Sequence, residues 1–148
     1  MAVGGTVSTP IFKQDGQYLT FKVQTATPIT LGQVVMLAAT GDPATVSPAT
    51  TTTAKVIGVA VSGNRVSRTA SDNIVAAGDL VTVCTRGVVN CTVGTNGATV
   101  GKELKVDTDT GTVTDINSAS YVNTRLLVGR ALATGISTEV IPVLLAIR

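Results

Sequence analysis

The sequence predicts an all-β fold: a compact barrel-like or sandwich domain of short strands with an extended N-terminal arm. Three observations carry this. The 148 residues include 25 Thr and 23 Val, which are stiff at χ1 and favour strands over helices. Short apolar runs alternate with Gly-, Asn- and Asp-containing turn signals. No segment holds a 3.6-residue apolar period over useful length. With 44% hydrophobic residues and a net charge of +2, the chain is a poor candidate for disorder. A chain of this length buries about 68–70% of its unfolded surface, enough for a core without staples.

Residues 1–20 read as the arm and 21–148 as the β domain. The arm opens on small residues (Met1 to Thr9), meets Pro10, and holds Phe12 and Tyr18, with Phe21 just beyond. Ile11 to Lys13 and Tyr18 to Val23 flank Asp15-Gly16, a hairpin signal. Strands are then expected at Val34–Ala38, Lys55–Val61, Leu80–Thr85, Gly87–Val93, Glu103–Val106, Arg125–Ala133 and Val140–Ile147. Turns fall at Thr40–Pro43, Ser62–Asn64, Ala77–Asp79, Thr95–Gly97 and Asp109–Gly111. The Thr-rich stretch Ala44–Ala54 reads as a loop or irregular edge, and a short helix fits only near Ala70–Ala77 or Ser118–Asn123.

An internal similarity links residues 31–61 with 100–132. Leu31-Gly32-Gln33-Val34-Val35-Met36-Leu37 resembles Val100-Gly101-Lys102-Glu103-Leu104-Lys105-Val106, and Ile57-Gly58-Val59-Ala60-Val61 resembles Val128-Gly129-Arg130-Ala131-Leu132. The glycines are 26 apart in the first copy and 28 in the second, so one two-residue insertion reconciles them.

Composition argues against several functions. Without His there is no imidazole base and no His metal ligand. Eleven basic against nine acidic residues give no field for nucleic acid, and two Phe, two Tyr and no Trp give no stacking platform. No apolar run approaches ~18 residues, so no membrane partner is expected. No cofactor or metal is expected either. Asp107-Thr108-Asp109-Thr110-Gly111 alternates oxygen ligands but lacks the closing Glu of a calcium loop, and reads as a polar turn.

The segment from Thr25 to the C-terminus resembles the phage capsid-decoration (cement) proteins. The resemblance rests on Ala-Thr-Pro-Ile-Thr-Leu-Gly-Gln-Val-Val (26–35), Val-Ile-Gly-Val-Ala (56–60) and Ala-Ala-Gly-Asp-Leu-Val-Thr-Val-Cys-Thr-Arg-Gly-Val-Val (76–89). It continues through Val-Gly-Lys-Glu-Leu-Lys-Val (100–106) and Leu-Val-Gly-Arg-Ala-Leu (127–132). The Thr-rich stretch and the longer arm depart from the pattern. The resemblance implies a barrel-like homotrimer without catalytic residues, assembled in the host cytoplasm and seated on the outside of an icosahedral head. Its partner would be the major capsid protein. The other class in play is a non-viral β-rich binding module, carbohydrate-binding or adhesin-like.

Within this reading the candidate capsid contacts are Val3, Val7, Ile11 and Phe12 on the arm and the basic pair Arg65 and Arg68. Cys84 and Cys91 face each other if the chain turns at Gly87-Val88. If one strand runs through, their odd spacing sends them to opposite faces, about 23 Å apart, beyond the roughly 7 Å a disulfide tolerates between Cα atoms. The resemblance favours the continuous strand and two free thiols.

Overall fold

A computed structural model describes residues 16–24, 27–38, 41, 43–50, 55–63, 73–116 and 127–147. Among them are eleven strands and no helix: β1 Gly16–Val23, β2 Ile29–Thr30, β3 Val34–Leu37, β4 Thr45–Pro48, β5 Val56–Gly63, β6 Ile74–Val75, β7 Leu80–Thr92, β8 Glu103–Val106, β9 Val113–Asp115, β10 Leu127–Ala131 and β11 Val140–Leu145.

Five strands close a barrel. β1 pairs with β4, β4 with β3, β3 with β5 and β5 with β7, and β7 returns to β1. Only β1–β4 is parallel. A five-stranded ring has a narrow interior, and Val fills it: Val23, Val35, Val46, Val81 and Val83 are buried there with Ala60. Ile29 and Val75, paired across the small β2–β6 sheet, pack into the same core. The inward row of β1 runs from buried Val23 through half-buried Phe21 to Leu19, which is 54% exposed. Among the described residues the barrel is therefore sealed at its Val23 end and open at its Leu19 end.

The second half of β7 starts another ring in the order β7–β11–β10–β8–β9. It closes through a parallel bridge from Val93, just after β7, to Val113 of β9, and through the Gly94 N–H donating to the Val113 carbonyl. The pairings of this ring repeat those of the barrel. Val34↔Val59, Val35↔Gly58 and Met36↔Val56 are matched by Glu103↔Arg130, Leu104↔Gly129 and Lys105↔Leu127, with the bulge at the same place. Tyr18↔Cys84 to Lys22↔Leu80 recurs as Val88↔Leu144 to Thr92↔Val140. Ile29↔Val75 recurs as the bridge Ala98↔Gly135. Gly58 and Gly129 meet the same constraint: a Cβ at either would collide with a backbone carbonyl, of Cys84 or of Leu144.

Val93, Leu104, Val113, Ala131, Ile141 and Val143 line the second ring. Its core is continuous with the outer face of the barrel, where Val34, Val56, Val59 and Cys84 are buried. β3 and β5 are thus covered on both faces, which accounts for their unbroken apolar runs.

Several expectations are corrected. Leu80–Thr85 and Gly87–Val93, expected as two strands from the residues, merge into the continuous strand β7 (Leu80–Thr92) that the resemblance favours, because its two halves find partners in two different rings. Part of the supposed Ala44–Ala54 loop is β4, held by β3 and β1, with Val46 and Ser47 buried. In the supposed helix near Ala70–Ala77, Ile74 and Val75 are strand β6 and residues 77–79 turn. Ser118–Asn123 lies outside the described residues. β9 was not expected at all.

Thr138 is the only non-glycine with positive φ among the described residues, at 72°. Its N–H donates to the Val93 carbonyl as that of Gly78 (φ 86°) donates to Val23 in the first barrel. A β-branched residue in this region costs about 1–3 kcal/mol, and glycine returns part of that as chain entropy. Thr138→Gly should therefore stabilise the protein by about 1 kcal/mol, raising the melting midpoint by roughly 2–4 °C. Differential scanning calorimetry checks this.

Candidate interface surfaces

The arm residues Val3, Val7, Ile11 and Phe12 and the basic pair Arg65 and Arg68 lie outside the described residues. The described surface offers other features. At the open end of the barrel, Leu19 and Leu37 are exposed beside half-buried Phe21 and Ile57. On the outer wall of the second ring, Leu144 (44%) and Val140 (56%) are exposed near half-buried Val88 and Leu127. The wall also carries Arg130, whose Nη1 donates to the Gly101 carbonyl at 2.7 Å and whose Nη2 lies 3.7 Å from the Glu103 carboxylate. Both ions are about half exposed, so the pair adds little stability and mainly neutralises the wall. Sequence reading missed these leucines, because alternation shows which face of a strand a residue occupies but not whether that face is covered.

A hollow of about 480 Å³ lies where β1, β7 and the end of β11 meet, lined by Gln17, Thr85, Arg86, Leu145, Ala146 and Ile147. The Thr85 hydroxyl donates to the Gln17 carbonyl at 3.2 Å. Its polar groups are one guanidinium, one amide and one hydroxyl, which suit contact rather than proton transfer.

The Asp107–Gly111 stretch is a turn between β8 and β9, clamped to the turn at 94–97. Asp107, 2% exposed, accepts from the backbone and side-chain nitrogens of Asn96 at 3.1 and 2.7 Å and from the Thr108 N–H at 2.7 Å. Asp109 accepts from the Thr95 N–H at 2.8 Å and from its hydroxyl. Burial alone would raise the Asp107 carboxyl, but the hydrogen bonds from Asn96 and Thr108 outweigh it and hold it below its ordinary value. Among the described residues no three metal-ligating side chains converge.

Cys84 and Cys91 are free and buried. They do not lie on opposite sides of the molecule. Gln17 pairs with Arg86 and Tyr18 with Cys84, so Thr85 is an extra, bulged residue that resets the alternation, and both sulfurs join one core. Burial pushes both thiols up, most strongly at Cys91, where a charge on Cys84 would add repulsion.

Exposed leucines at the open barrel end and on the outer wall of the second ring offer apolar area for contact. A family model described as structural cement protein (E217 gp24/Pam3 gp6) matches residues 2–143. The chain belongs to this family of phage cement proteins. It is therefore a structural component of the virion with a capsid-stabilising decoration role, and the non-viral alternative falls away. No curated protein matches the sequence. Among solved structures, the cement protein is similar to the N base of head fiber gp8.5 of bacteriophage phi29. The TM-score is 0.58 at 15% identity, over 88% of this chain and 95% of that one. At that identity the likeness speaks for the shared fold.

The pKa of Asp107 is depressed on folding, so its contribution to stability is complete above the unfolded value near ~3.9 and is lost as pH falls through the lower folded value. The melting midpoint should stay flat between about pH 5.5 and 8, since the sequence has no His and both thiols remain protonated there. It should drop below about pH 4. Asp107→Asn should lower the midpoint at neutral pH, by about 1–3 kcal/mol of stability, and flatten the acid limb in melts from pH 3 to 8. A thiol-specific disulfide reagent should titrate neither cysteine in native buffer and both in denaturant. Prompt native reaction at either would show that the core opens.

Proposed function

We propose that this cement protein decorates the outer surface of an icosahedral head as a homotrimer, bound to the major capsid protein and without catalytic activity of its own. Membership of the structural cement family over nearly the whole chain is the observation that carries this reading. Other features support it. Lys, Arg, Asp and Glu make up only 14% of the residues, so few rotamer-rich side chains need ordering at a contact. Exposed leucines supply apolar area of the kind that marks interfaces. The head fiber base with a similar fold comes from a phage head. Repetition over a symmetric lattice turns modest contacts into durable attachment.

The arm is the proposed capsid anchor, with Phe12 as its centre, Val3, Val7 and Ile11 beside it, and Arg65 and Arg68 meeting acidic capsid groups. Aromatics concentrate binding energy, and an extended segment can add a strand to an exposed sheet edge. Assembly in the host cytoplasm fits two buried free thiols.

Co-sedimentation with undecorated heads tests the proposal. The full chain should pellet with heads at a fixed stoichiometry. Deletion of residues 1–13 should abolish pelleting while leaving the melting midpoint and the mass by light scattering unchanged. Decoration by the truncated protein at wild-type occupancy would remove the arm from the contact, and failure of the full chain to pellet would defeat outer-surface attachment.

A further inference from the structure

Equivalent positions of the two rings differ in what covers them. At the end of the second ring that abuts the barrel, Val89, Cys91, Val106 and Val128 are all 5% exposed or less. The barrel's outer wall, Val34, Val56, Val59 and Cys84, shares their core. The strand registers place Leu19, Phe21, Leu37 and Ile57 at the same positions of the first barrel. Among the described residues nothing of comparable size covers them, and Leu19 is 54% and Leu37 38% exposed. The wall is left over in the opposite sense. By register, the second ring's counterparts of the barrel wall are Glu103, Leu127, Arg130 and Leu144. They face outward with Leu144 44% exposed and the two charges paired with each other.

We propose that a second copy of this chain supplies the missing cover: the outer wall of one copy's second ring seats on the open barrel end of the next. The contact would repeat between chains the packing that joins the two rings within one. Among the described residues the open barrel end and the free wall of the second ring are different surfaces, so the contact is head-to-tail. Such a contact closes into a ring when its rotation allows. The Glu103–Arg130 pair lets the wall be covered without leaving an uncompensated charge. This assigns faces to the self-association in the proposed homotrimer. It is independent of capsid attachment, since a monomer that decorated heads would overturn this contact and leave that reading standing.

Light scattering on four samples tests it: the wild-type chain, Leu19→Asp, Leu144→Asp, and the two variants mixed in equal amounts. The wild type should be oligomeric at micromolar concentration. Each variant alone should be monomeric, with a wild-type circular dichroism spectrum because both side chains are exposed. The mixture should form a complex of two chains and nothing larger, because the intact wall of Leu19→Asp can seat on the intact barrel end of Leu144→Asp. Leu19→Ser and Leu144→Ser repeat the measurement should an aspartate variant misfold. A monomeric wild type, either variant at wild-type mass, or a mixture that stays monomeric would overturn the proposal. The last result would fit a contact in which each face meets its own copy.

Discussion

The molecule depends on a single irregularity in β7, the bulge at Thr85 followed by Gly87 at φ 116°. Before it, Val81 and Val83 point into the first barrel and Cys84 points out of it. Beyond it, Val89 and Cys91 point to the side that Cys84 faces, where the second ring lies. One extra residue therefore lets one strand serve two interiors on opposite faces of the sheet. A bulge costs one pair of the ladder and bends the strand. Here the reset alternation turns Val89 and Cys91 to the side of the first barrel's wall, where Val34, Val56 and Val59 are buried in the same core. At about 1.5–3 kcal/mol for a fully buried Val or Leu, this inter-ring contact outweighs the lost hydrogen bonding of one residue.

The same feature shows where sequence reading stops. Val81, Val83, Val89, Cys91 and Val93 all occupy odd positions, and a period of two reads them as one face of one strand or of two. Only the pairing partners reveal that the face changes between Val83 and Val89. The opposite-face expectation for Cys84 and Cys91 fails for this reason, and the residues alone leave open whether the chain turns at Gly87 or runs through it, because glycine in a strand fits a bend or a bulge alike. β3, β5, β8, β10 and β11 were legible, since each carries a run of apolar residues flanked by turn signals. β4 and β9 were not. Thr45-Val46-Ser47-Pro48 and Val113-Thr114-Asp115 each offer one large apolar side chain, and their strand state comes from neighbours rather than from local preference.

The surfaces were less legible than the fold. Turn chemistry identified Asp107–Gly111 correctly as a polar turn, because its carboxylates are taken up by Thr95, Asn96 and Thr108. Nothing in the alternation around Leu19 or Leu144 distinguishes them from core leucines. Leu19 belongs to the inward row of its strand, and its exposure follows from the open end of the barrel.

The residues that differ between equivalent positions carry a further argument. At the covered end of the second ring the side chains are Val89, Cys91, Val106 and Val128, and at the open barrel end they are Leu19, Phe21, Leu37 and Ile57, larger at every position. The walls differ in the same direction: Val34, Val56, Val59 and Cys84 where the rings are joined, and Glu103, Leu127, Arg130 and Leu144 where the wall is free. Two rings on one chain have no association entropy to overcome, so close packing of small side chains suffices to hold them. Separate molecules lose translational and rotational freedom when they bind. Larger side chains offer more area to offset that loss, and a paired charge gives the contact an orientation. The enlarged residues stand on surfaces that the described residues leave uncovered, which is the pattern expected if the inter-ring contact within one chain is the template for contact between chains.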